Sequence, residues 1–397
     1  MPLERIVIVG ASLAGLRAAE TLRSEGYAGA ITLIGAEPHL PYDRPPLTKE
    51  ILRGEWKRER LALRPEGLDD LALDLRLGSL AVALRPGPQA VDLSDGTSVL
   101  YDGLVIATGA AARHISAVRE IDGVFALRTV EDALALRAAL TRGPRVVVVG
   151  AGFIGAEVAA SCRQLGLSVT VVEPLSALLV RALGARMGEV CAALHREHGV
   201  DLRCGVGVAG VEGGARVDAV RLTDGSRVPA DVVVLGVGAV PATHWLESSG
   251  LTIEDGVVCD ATSATAAENV VAAGDCARWL NALFDTSMRV EHWTNAVEQG
   301  QHAARRLLYG PSVGPYAPVP TFWSDQYGVK IQFAGVATSG DDVCVVEHDA
   351  HEHRLVALYS RGDRLTGALT FRRPRRSVEL SELIARRAKL AEALALF

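Results

Sequence analysis

The feature that most constrains the fold is a glycine-rich turn in the middle of the chain. A run of four valines leads into Gly150–Gly155, with the sequence GAGFIG, and a helical pattern follows. Gly150 permits a tight turn, Gly152 lets the backbone approach a pyrophosphate, and Gly155 lets a helix pack closely on a strand. Glu173 ends the next apolar strand, where a carboxylate binds a ribose diol. The segment therefore predicts a strand–turn–helix unit that binds a dinucleotide.

An imperfect copy of this unit opens the chain. The apolar run Ile6–Val9 leads into Gly10–Gly15, with the sequence GASLAG, and Ser12 stands where the second glycine is usual. Serine is small and its hydroxyl can donate a hydrogen bond to a phosphate, so this turn is also predicted to bind a pyrophosphate. Glu37 follows the run Ile31–Ile34 and is the expected partner of a second ribose.

A third element narrows the choice of ligands. The run Val270–Ala273 ends in Gly274 and Asp275, which places a carboxylate where it can accept a hydrogen bond from a ribityl hydroxyl. Two dinucleotide sites and an acid at this position favour a flavin dinucleotide together with a nicotinamide cofactor.

Apolar runs of four or five residues recur along the chain and alternate with helical patterns, as in Leu16–Ser24 and Ala156–Leu165. Such runs are typical of strands that are buried on both faces, and hence of parallel sheets. The segments Gly78–Val99 and Gly207–Pro229 alternate in polarity and carry turn residues. They are predicted to form small antiparallel meanders.

The C-terminal region has a different pattern. Strands are predicted at Lys330–Val336, Val343–Glu347, Leu355–Ser360 and Leu365–Phe371, and a helix at Ser377–Leu394. Successive strands followed by a helix indicate an α+β domain. The predicted fold class is therefore α/β, with two Rossmann-like dinucleotide-binding domains and a C-terminal α+β domain.

Composition and charge argue against several other functions. The formal net charge of −6 disfavours a nucleic-acid-binding face, which would be basic. No charge-free run is long enough to cross a bilayer and the N-terminus lacks a secretion signal, so a cytoplasmic protein is expected. None of the six cysteines forms a CxxC pair, so no metal site is predicted. Residues 38–60, which follow the expected ribose partner Glu37, contain no cysteine, so no thiol is expected beside a flavin.

With these units, the chain resembles the FAD-dependent NAD(P)H:ferredoxin reductases of the glutathione-reductase structural class, the family of putidaredoxin reductase and the dioxygenase ferredoxin reductases. The matching stretches are Pro41–Lys49, Tyr101–Gly109, Glu291–Ala296 and Phe322–Tyr327. The last two are more specific than any glycine turn. The resemblance extends over essentially the whole chain.

The resemblance implies a role for each matching position. FAD would be held non-covalently by Gly10, Ser12, Leu13, Ala14, Gly15, Glu37, Arg44, Pro45, Lys49, Ala81, Ala107, Thr108, Gly109, Arg128, Asp275, Glu291, His292, Trp293 and Trp323. NAD would be held by Gly150, Gly152, Phe153, Ile154, Gly155, Glu157, Glu173, Arg181, Gly236, Val237 and Gly238. Lys49 and Glu157 are the expected catalytic pair, in which an ammonium near the flavin stabilises its reduced form and the carboxylate compensates that ammonium.

The implied reaction passes a hydride from NADH to FAD and then single electrons to an iron–sulfur ferredoxin. This ferredoxin is expected to be a [2Fe–2S] protein that serves a cytochrome P450 or a dioxygenase. The implied domains are an FAD-binding domain at 1–112 and 240–319, an NADH-binding domain at 113–239, and an interface domain at 320–397. NADH is expected over NADPH, because Glu173 would accept from the ribose 2′-hydroxyl and repel a 2′-phosphate.

Other functions stay open from the sequence. The chain could be an NADH oxidase or diaphorase that reduces oxygen or quinones, or a rubredoxin reductase. It could also be a flavin-binding signalling protein that senses NADH. The densest basic cluster, Arg372–Arg376, is either a docking surface for an acidic ferredoxin or a solvated loop and helix start.

Overall fold

A computed structural model describes residues 3–118 and 121–397. In chain order its helices are α1 Leu13–Ser24, α2 Glu50–Arg53, α3 Val130–Leu140, α4 Phe153–Gln164, α5 Val180–Glu197, α6 Trp293–Tyr309, α7 Pro374–Ala385 and α8 Leu390–Leu394. Among the described residues, none of the helices has the length and apolar character that crossing a membrane requires.

The strands, in chain order, are β1 Arg5–Val9, β2 Ala30–Gly35, β3 Leu73–Leu77, β4 Ala81–Arg85, β5 Ala90–Leu93, β6 Ser98–Leu100, β7 Gly103–Ile106, β8 Ala110–Ala112, β9 Val124–Ala126, β10 Val146–Val149, β11 Val169–Glu173, β12 Asp201–Cys204, β13 Val208–Gly213, β14 Val217–Leu222, β15 Arg227–Pro229, β16 Val232–Leu235, β17 Ala239–Pro241, β18 Val257–Val258, β19 Val270–Ala272, β20 Ala277–Asn281, β21 Thr286–Met288, β22 Thr321–Gln326, β23 Val329–Gly335, β24 Asp342–Asp349, β25 Arg354–Arg361 and β26 Arg364–Phe371. The chain divides into two compact units. The first consists of Met1–Asp43, Ala62–Ala111 and Val240–Phe322, and the second of Arg44–Leu61, Ala112–Ala239 and Trp323–Phe397.

The first unit is built on a five-stranded parallel sheet in the order β19-β7-β1-β2-β3. Strand β1 is buried on both faces, as its continuous apolar sequence predicts. Ile6 and Ile8 pack with residues of α1 and α6, whereas Val7 and Val9 pack in a second core with the small antiparallel sheet β4-β5-β6. Because successive side chains of a strand point to opposite faces of the sheet, β1 contributes to two hydrophobic cores.

The second unit contains a similar five-stranded parallel sheet in the order β12-β11-β10-β16-β9. The antiparallel sheet β13-β14-β15 accompanies it, as the meander pattern predicts. The C-terminal residues add a five-stranded sheet in the order β22-β23-β26-β25-β24, followed by α7 and α8. The predicted fold class, two Rossmann-like cores with a C-terminal α+β region, is therefore confirmed.

The C-terminal helix differs from its prediction. The sequence predicts one helix over Ser377–Leu394, but the structure has α7 and, after a break, α8. Arg387 adopts a left-handed backbone with φ of 58°, which a continuous right-handed helix does not allow. The N–H of Ala388 then donates to the carbonyl of Leu383 and closes the turn. This turn separates α7 from α8. The spacing of apolar residues in the sequence does not indicate it, so the sequence predicts one continuous helix.

Candidate functional site

The N-terminal glycine turn lies where β1 ends and α1 begins. Gly10 has φ of 122°, and a Cβ there would lie 2.0 Å from the carbonyl oxygen of Ala107 at the end of β7. A Cβ on Gly15 would lie 2.0 Å from the carbonyl oxygen of Gly10. Only glycine therefore fits either position. Ser12 precedes the first turn of α1, where Leu13 and Ala14 have backbone N–H groups without partners within the helix.

Several predicted FAD residues meet at one edge of this sheet. The chain runs from β1 to β2 in one direction, and β7 lies on the other side of β1, so the sheet has a switch point between β1 and β7. Gly10, Glu37, Thr108 and Asp275 each follow the carboxyl end of a strand of this parallel sheet. Ligands of open α/β sheets bind at such a switch point.

Neighbouring side chains hold these positions. Glu37 accepts a hydrogen bond of 2.5 Å from the hydroxyl of Tyr42. The hydroxyl of Thr108 donates to the carbonyl of Ala242 at 2.7 Å. Asp275 lies in a short 3₁₀ turn, and its carbonyl accepts from Arg289 at 3.0 Å. Of the remaining predicted positions here, Gly109 follows Thr108 with a positive φ, and Ala81 is buried at the start of β4.

The start of α6 carries the next group of predicted FAD residues. The indole N–H of Trp293 donates to Asp43 at 2.8 Å, and Glu291 pairs with Arg289 at 2.5 Å. His292 packs its ring on Phe322, with 5.1 Å between centroids. Burial lowers the pKa of His292 to about 4. Its Nδ1 is buried and has no hydrogen-bond partner among the described residues, so it is available to a ligand.

The central glycine turn of the second unit repeats this geometry between β10 and α4. Gly150 has φ of 93°, and a Cβ there would lie 2.5 Å from the carbonyl oxygen of Gly236, at the end of β16. A Cβ on Gly155 would lie 2.0 Å from the carbonyl oxygen of Gly150. Gly152 is different, because the nearest described atom that its Cβ would meet is 4.0 Å away. The turn also lies at a switch point, between β10 and β16.

Glu173 is buried at the end of β11 and is fixed by the backbone of the turn. Its Oε2 accepts from the N–H of Ala151 at 2.7 Å, and its Oε1 accepts from the N–H of Leu175 at 2.9 Å. Each oxygen can accept one further hydrogen bond. The other predicted NAD positions in this unit are Phe153 and Ile154 in the first turn of α4, Arg181 exposed in α5, and Val237 and Gly238 after β16.

Lys49 and Glu157 form a buried ion pair. The Nζ of Lys49 lies 2.7 Å from Oε2 of Glu157, and each residue is 6% exposed. The same Oε2 accepts from the hydroxyl of Thr48 at 2.5 Å. The other oxygen, Oε1, accepts from the hydroxyl of Ser324 at 2.8 Å. Paired charges of this kind tolerate burial only when their remaining donors and acceptors are satisfied, as they are here for the carboxylate.

The remaining predicted flavin residues of the second unit are Arg44 and Pro45 in the segment 44–61, Arg128 before α3, and Trp323 in β22. Arg44 donates from Nη1 to the carbonyl of Arg128 at 2.7 Å. Pro45 opens the 3₁₀ turn that leads to Lys49. Trp323 lies in β22, with the ammonium of Lys330 6.0 Å from its ring centroid.

Both glycine turns fit a bound dinucleotide. The hydroxyl of Ser12 makes no capping hydrogen bond to a described helix N–H, and its O–H can donate to a phosphate. A methyl group on Gly152 would come no closer than 4.0 Å to a described atom. The backbone of the turn is therefore open to the approach of a pyrophosphate. The N–H groups of the first turns of α1 and α4 cannot be used by hydrogen bonds within those helices, and they add a partial positive charge to each site.

Four residues of this site carry no signal in the glycine motifs. Thr48 and Ser324 bind the Glu157 carboxylate, while Gln326 and His195 continue from Ser324 into the interior. The burial of Phe322, Ser324 and Gln326 follows the period of a strand. Two polar residues on the buried face of a strand require partners, and that is the sequence signal that could have identified them.

Comparison with known proteins places this geometry in a family. Residues 4–300 match the family model described as pyridine nucleotide-disulphide oxidoreductase, and residues 321–396 match the model described as reductase C-terminal. Rhodocoxin reductase of Rhodococcus erythropolis is 39% identical over 383 residues, which cover 96% of this chain and 89% of that protein. Putidaredoxin reductase of Pseudomonas putida is 36% identical and covers 94% of this chain and 89% of its own length.

Two further similarities extend this comparison. The ferredoxin–NAD(+) reductase component of the anthranilate 1,2-dioxygenase system from Burkholderia cepacia is 40% identical over 87% of this chain and 85% of its own. Among solved structures, the covalent complex of putidaredoxin reductase with putidaredoxin contains a chain that matches with a TM-score of 0.92 and 34% identity. The match covers 97% of this chain and 93% of that one.

Proposed function

Because the chain belongs to the pyridine nucleotide-disulphide oxidoreductase family and ends in a reductase C-terminal domain, we propose that it is an FAD-dependent NADH:ferredoxin reductase. The family implies FAD and a nicotinamide dinucleotide as cofactors. The observation that carries the proposal is the presence of two glycine turns, each at the switch point of its own parallel sheet. With one turn for each cofactor, the chain would have one site for the hydride donor and one for the hydride acceptor.

The FAD would be held by the edge of the first sheet. The N-terminal turn and α1 would bind the pyrophosphate, Glu37 the adenosine ribose, and Asp275 the ribityl chain. The hydrogen bond from Tyr42 orients the Glu37 carboxylate before any ligand binds. When bound, FAD supplies the ability to take up two electrons as a hydride and to release them singly.

The ion pair of Lys49 with Glu157 would act on the flavin through its charge. An ammonium that is already fixed by a carboxylate needs little reorganisation when negative charge develops nearby. The Lys49 ammonium has three N–H donors, and two of them bind Glu157 and Thr48. Among the described residues none accepts from the third, which can therefore donate to a ligand. The other predicted contacts, including Arg44, Pro45, Arg128, Trp293 and Trp323, belong to the same proposal.

We propose NADH as the preferred reductant. The carboxylate of Glu173 is held by two backbone N–H groups and presents its free acceptor positions to a ribose diol. A 2′-phosphate would meet this fixed negative charge, and the next residue, Pro174, offers no cation to bind it. Arg181 is the first basic residue beyond and lies exposed in α5.

A ferredoxin is the proposed acceptor, and its support lies in the relatives. Their names describe ferredoxin–NAD(+) reductases of dioxygenase systems, rhodocoxin reductase and putidaredoxin reductase. A [2Fe–2S] carrier that serves a cytochrome P450 or a dioxygenase is the corresponding partner. The proposed domains are FAD-binding at 1–112 and 240–319, NADH-binding at 113–239, and interface at 320–397, in the cytoplasm where NADH is available.

An anaerobic single-turnover experiment tests this function. The FAD-loaded protein is reduced with one equivalent of NADH and mixed with an oxidised [2Fe–2S] ferredoxin in a stopped-flow instrument. The expected result is reoxidation of the flavin by the ferredoxin within seconds, with two ferredoxins reduced per flavin. Reoxidation only by oxygen or a quinone would indicate an oxidase or diaphorase instead.

A further inference from the structure

A continuous chain of hydrogen bonds, buried except for its last and partly buried link, extends from the Lys49–Glu157 ion pair into the interior of the second unit. From Oε1 of Glu157 it passes to the hydroxyl of Ser324 at 2.8 Å, and then to Nε2 of Gln326 at 3.0 Å. Oε1 of Gln326 lies 2.8 Å from Nε2 of His195, and Nδ1 of His195 lies 3.0 Å from the hydroxyl of Tyr327. This hydrogen-bond chain thus joins the loop that carries Lys49 with α4, α5 and β22.

The ionised carboxylate fixes the direction of every donor in this chain. Glu157 can only accept, so the single proton of the Ser324 hydroxyl points to it. Ser324 must then accept from the amide NH₂ of Gln326, which turns the amide oxygen of Gln326 toward His195. His195 therefore carries its proton on Nε2 and accepts from the Tyr327 hydroxyl at Nδ1. All donors point toward Glu157.

Burial makes this arrangement rigid. Ser324, Gln326 and His195 are fully buried, so a broken link would leave a polar group unsatisfied in the interior. Burial also lowers the pKa of His195 to about 4, which keeps the imidazole neutral at pH 7. Hydrogen bonds that share one direction polarise one another, so the links strengthen the acceptor site at Glu157 together.

We propose that Ser324, Gln326 and His195 are positioning residues for the Lys49–Glu157 ion pair, acting as a one-directional hydrogen-bond chain that holds the carboxylate in place and so fixes the ammonium. This inference rests on the proposed placement of Lys49 beside the flavin. None of the three residues needs to touch a cofactor, because each acts through Glu157. The chain makes the C-terminal sheet, through β22, a determinant of flavin reactivity.

Variants of Ser324 test the chain in the FAD-loaded protein. Ser324→Ala removes one hydrogen bond to a charged group, so we expect the rate constant of anaerobic flavin reduction by NADH to fall about tenfold. Ser324→Thr keeps the hydroxyl and should restore the rate to within about twofold of wild type. Ser360→Ala removes a buried hydroxyl from the same C-terminal sheet without touching Glu157, and its rate should equal that of wild type.

A double-mutant cycle separates positioning from general destabilisation. In the Glu157→Gln background the chain no longer ends on an anion, so Ser324→Ala should change the reduction rate and the flavin midpoint potential little further. An unchanged rate in Ser324→Ala alone would overturn the proposal. The same fold-loss in both backgrounds would also overturn it, because Ser324 would then act independently of Glu157.

The tautomer of His195 provides a readout that is measured on the wild-type protein and needs no turnover. With ¹⁵N-histidine labelling and assignment by His195→Gln, the imidazole of His195 should show a protonated Nε2 and an unprotonated Nδ1 at pH 7. A proton on Nδ1 would reverse the direction of the chain and overturn the inference. Failure of the proposed function is distinguishable, because the wild-type flavin would then not be reduced by NADH or not be reoxidised by ferredoxin.

Discussion

The most consequential single side chains are the two buried charges, Lys49 and Glu157. Removing one partner of such a pair leaves the other charge buried and uncompensated, which typically costs about 3–5 kcal/mol. Glu157 has further donors in Thr48 and Ser324, so loss of Lys49 leaves it partly satisfied. Among the described residues, the one further partner of the Lys49 ammonium is the hydroxyl of Thr48, at 3.5 Å. The pair is thus asymmetric, and the lysine depends on the carboxylate more than the reverse.

Loss of the ammonium is predicted to lower the midpoint potential of the bound flavin. In Lys49→Gln the negative charge of the reduced flavin would no longer be compensated. A loss of about 1.4 kcal/mol in the stabilisation of the reduced flavin lowers the midpoint potential of a two-electron couple by about 30 mV. We expect a decrease of at least that size in an anaerobic dye-equilibration titration. Lys57→Gln, at an exposed position, is the control and should leave the potential unchanged. An unshifted potential in Lys49→Gln would remove Lys49 from the flavin site.

Glu173 is predicted to set the cofactor preference. Glu173→Gln removes the charge that would repel a 2′-phosphate and keeps an acceptor for one of the two backbone N–H groups. We expect the ratio of kcat/KM for NADH to that for NADPH to fall about tenfold or more in steady-state assays. A ratio equal to that of wild type, or a wild type that prefers NADPH, would show that this carboxylate does not select the cofactor.

Protonation of His195 is predicted to couple folding to pH. The folded pKa of about 4 lies below the unfolded value of about 6.5, so the unfolded state binds a proton first as the pH falls. This group should lower the free energy of unfolding by about 2 kcal/mol between pH 7 and pH 5, with no contribution above pH 7. Urea unfolding of the FAD-loaded His195→Gln protein should lack that component. His351→Gln, at an exposed histidine, should retain it.

At the scale of elements, the two glycine turns are the part of the site that the sequence describes best. The close approaches of Gly10, Gly15, Gly150 and Gly155 exclude any side chain, so each turn appears in the sequence as glycines at a recognisable spacing. The strand β22 was not predictable in the same way. Its buried face places Ser324 and Gln326 beside partners from α4 and α5, which are far away in the sequence. Local pattern shows that such residues are buried but does not identify their partners.

Alanine at Gly152 is predicted to weaken dinucleotide binding while leaving the fold intact. The backbone there has φ of −73°, and its Cβ would come no closer than 4.0 Å to a described atom, so the methyl group would fit the folded chain and would occupy space proposed for a pyrophosphate. We expect KM for NADH to rise about tenfold or more, with unchanged Tm. Gly155→Ala should instead lower stability by about 1–3 kcal/mol, because its Cβ would overlap the Gly150 carbonyl. A Gly152→Ala protein with normal KM would contradict the proposed NAD site.

For the whole molecule, the sequence predicts the layers well and the surface less well. Continuous apolar strands and alternating meanders lead directly to two parallel sheets and their small antiparallel companions. The basic cluster Arg372–Arg376 is more balanced in three dimensions than in the sequence, because Arg373 pairs with Glu347, and Arg375 and Arg376 with Glu379. Charge compensation by residues from other elements is not visible in a linear pattern.

The central claim is that electrons leave the flavin to a ferredoxin, and one assay tests it most directly. NADH-dependent reduction of cytochrome c is measured anaerobically with the FAD-loaded protein, with and without a [2Fe–2S] ferredoxin. The account predicts that the ferredoxin stimulates cytochrome c reduction strongly and saturably. If NADH reduces the flavin rapidly but ferredoxins from several P450 and dioxygenase systems produce no stimulation, the claim is contradicted and the chain is an oxidase or an NADH sensor.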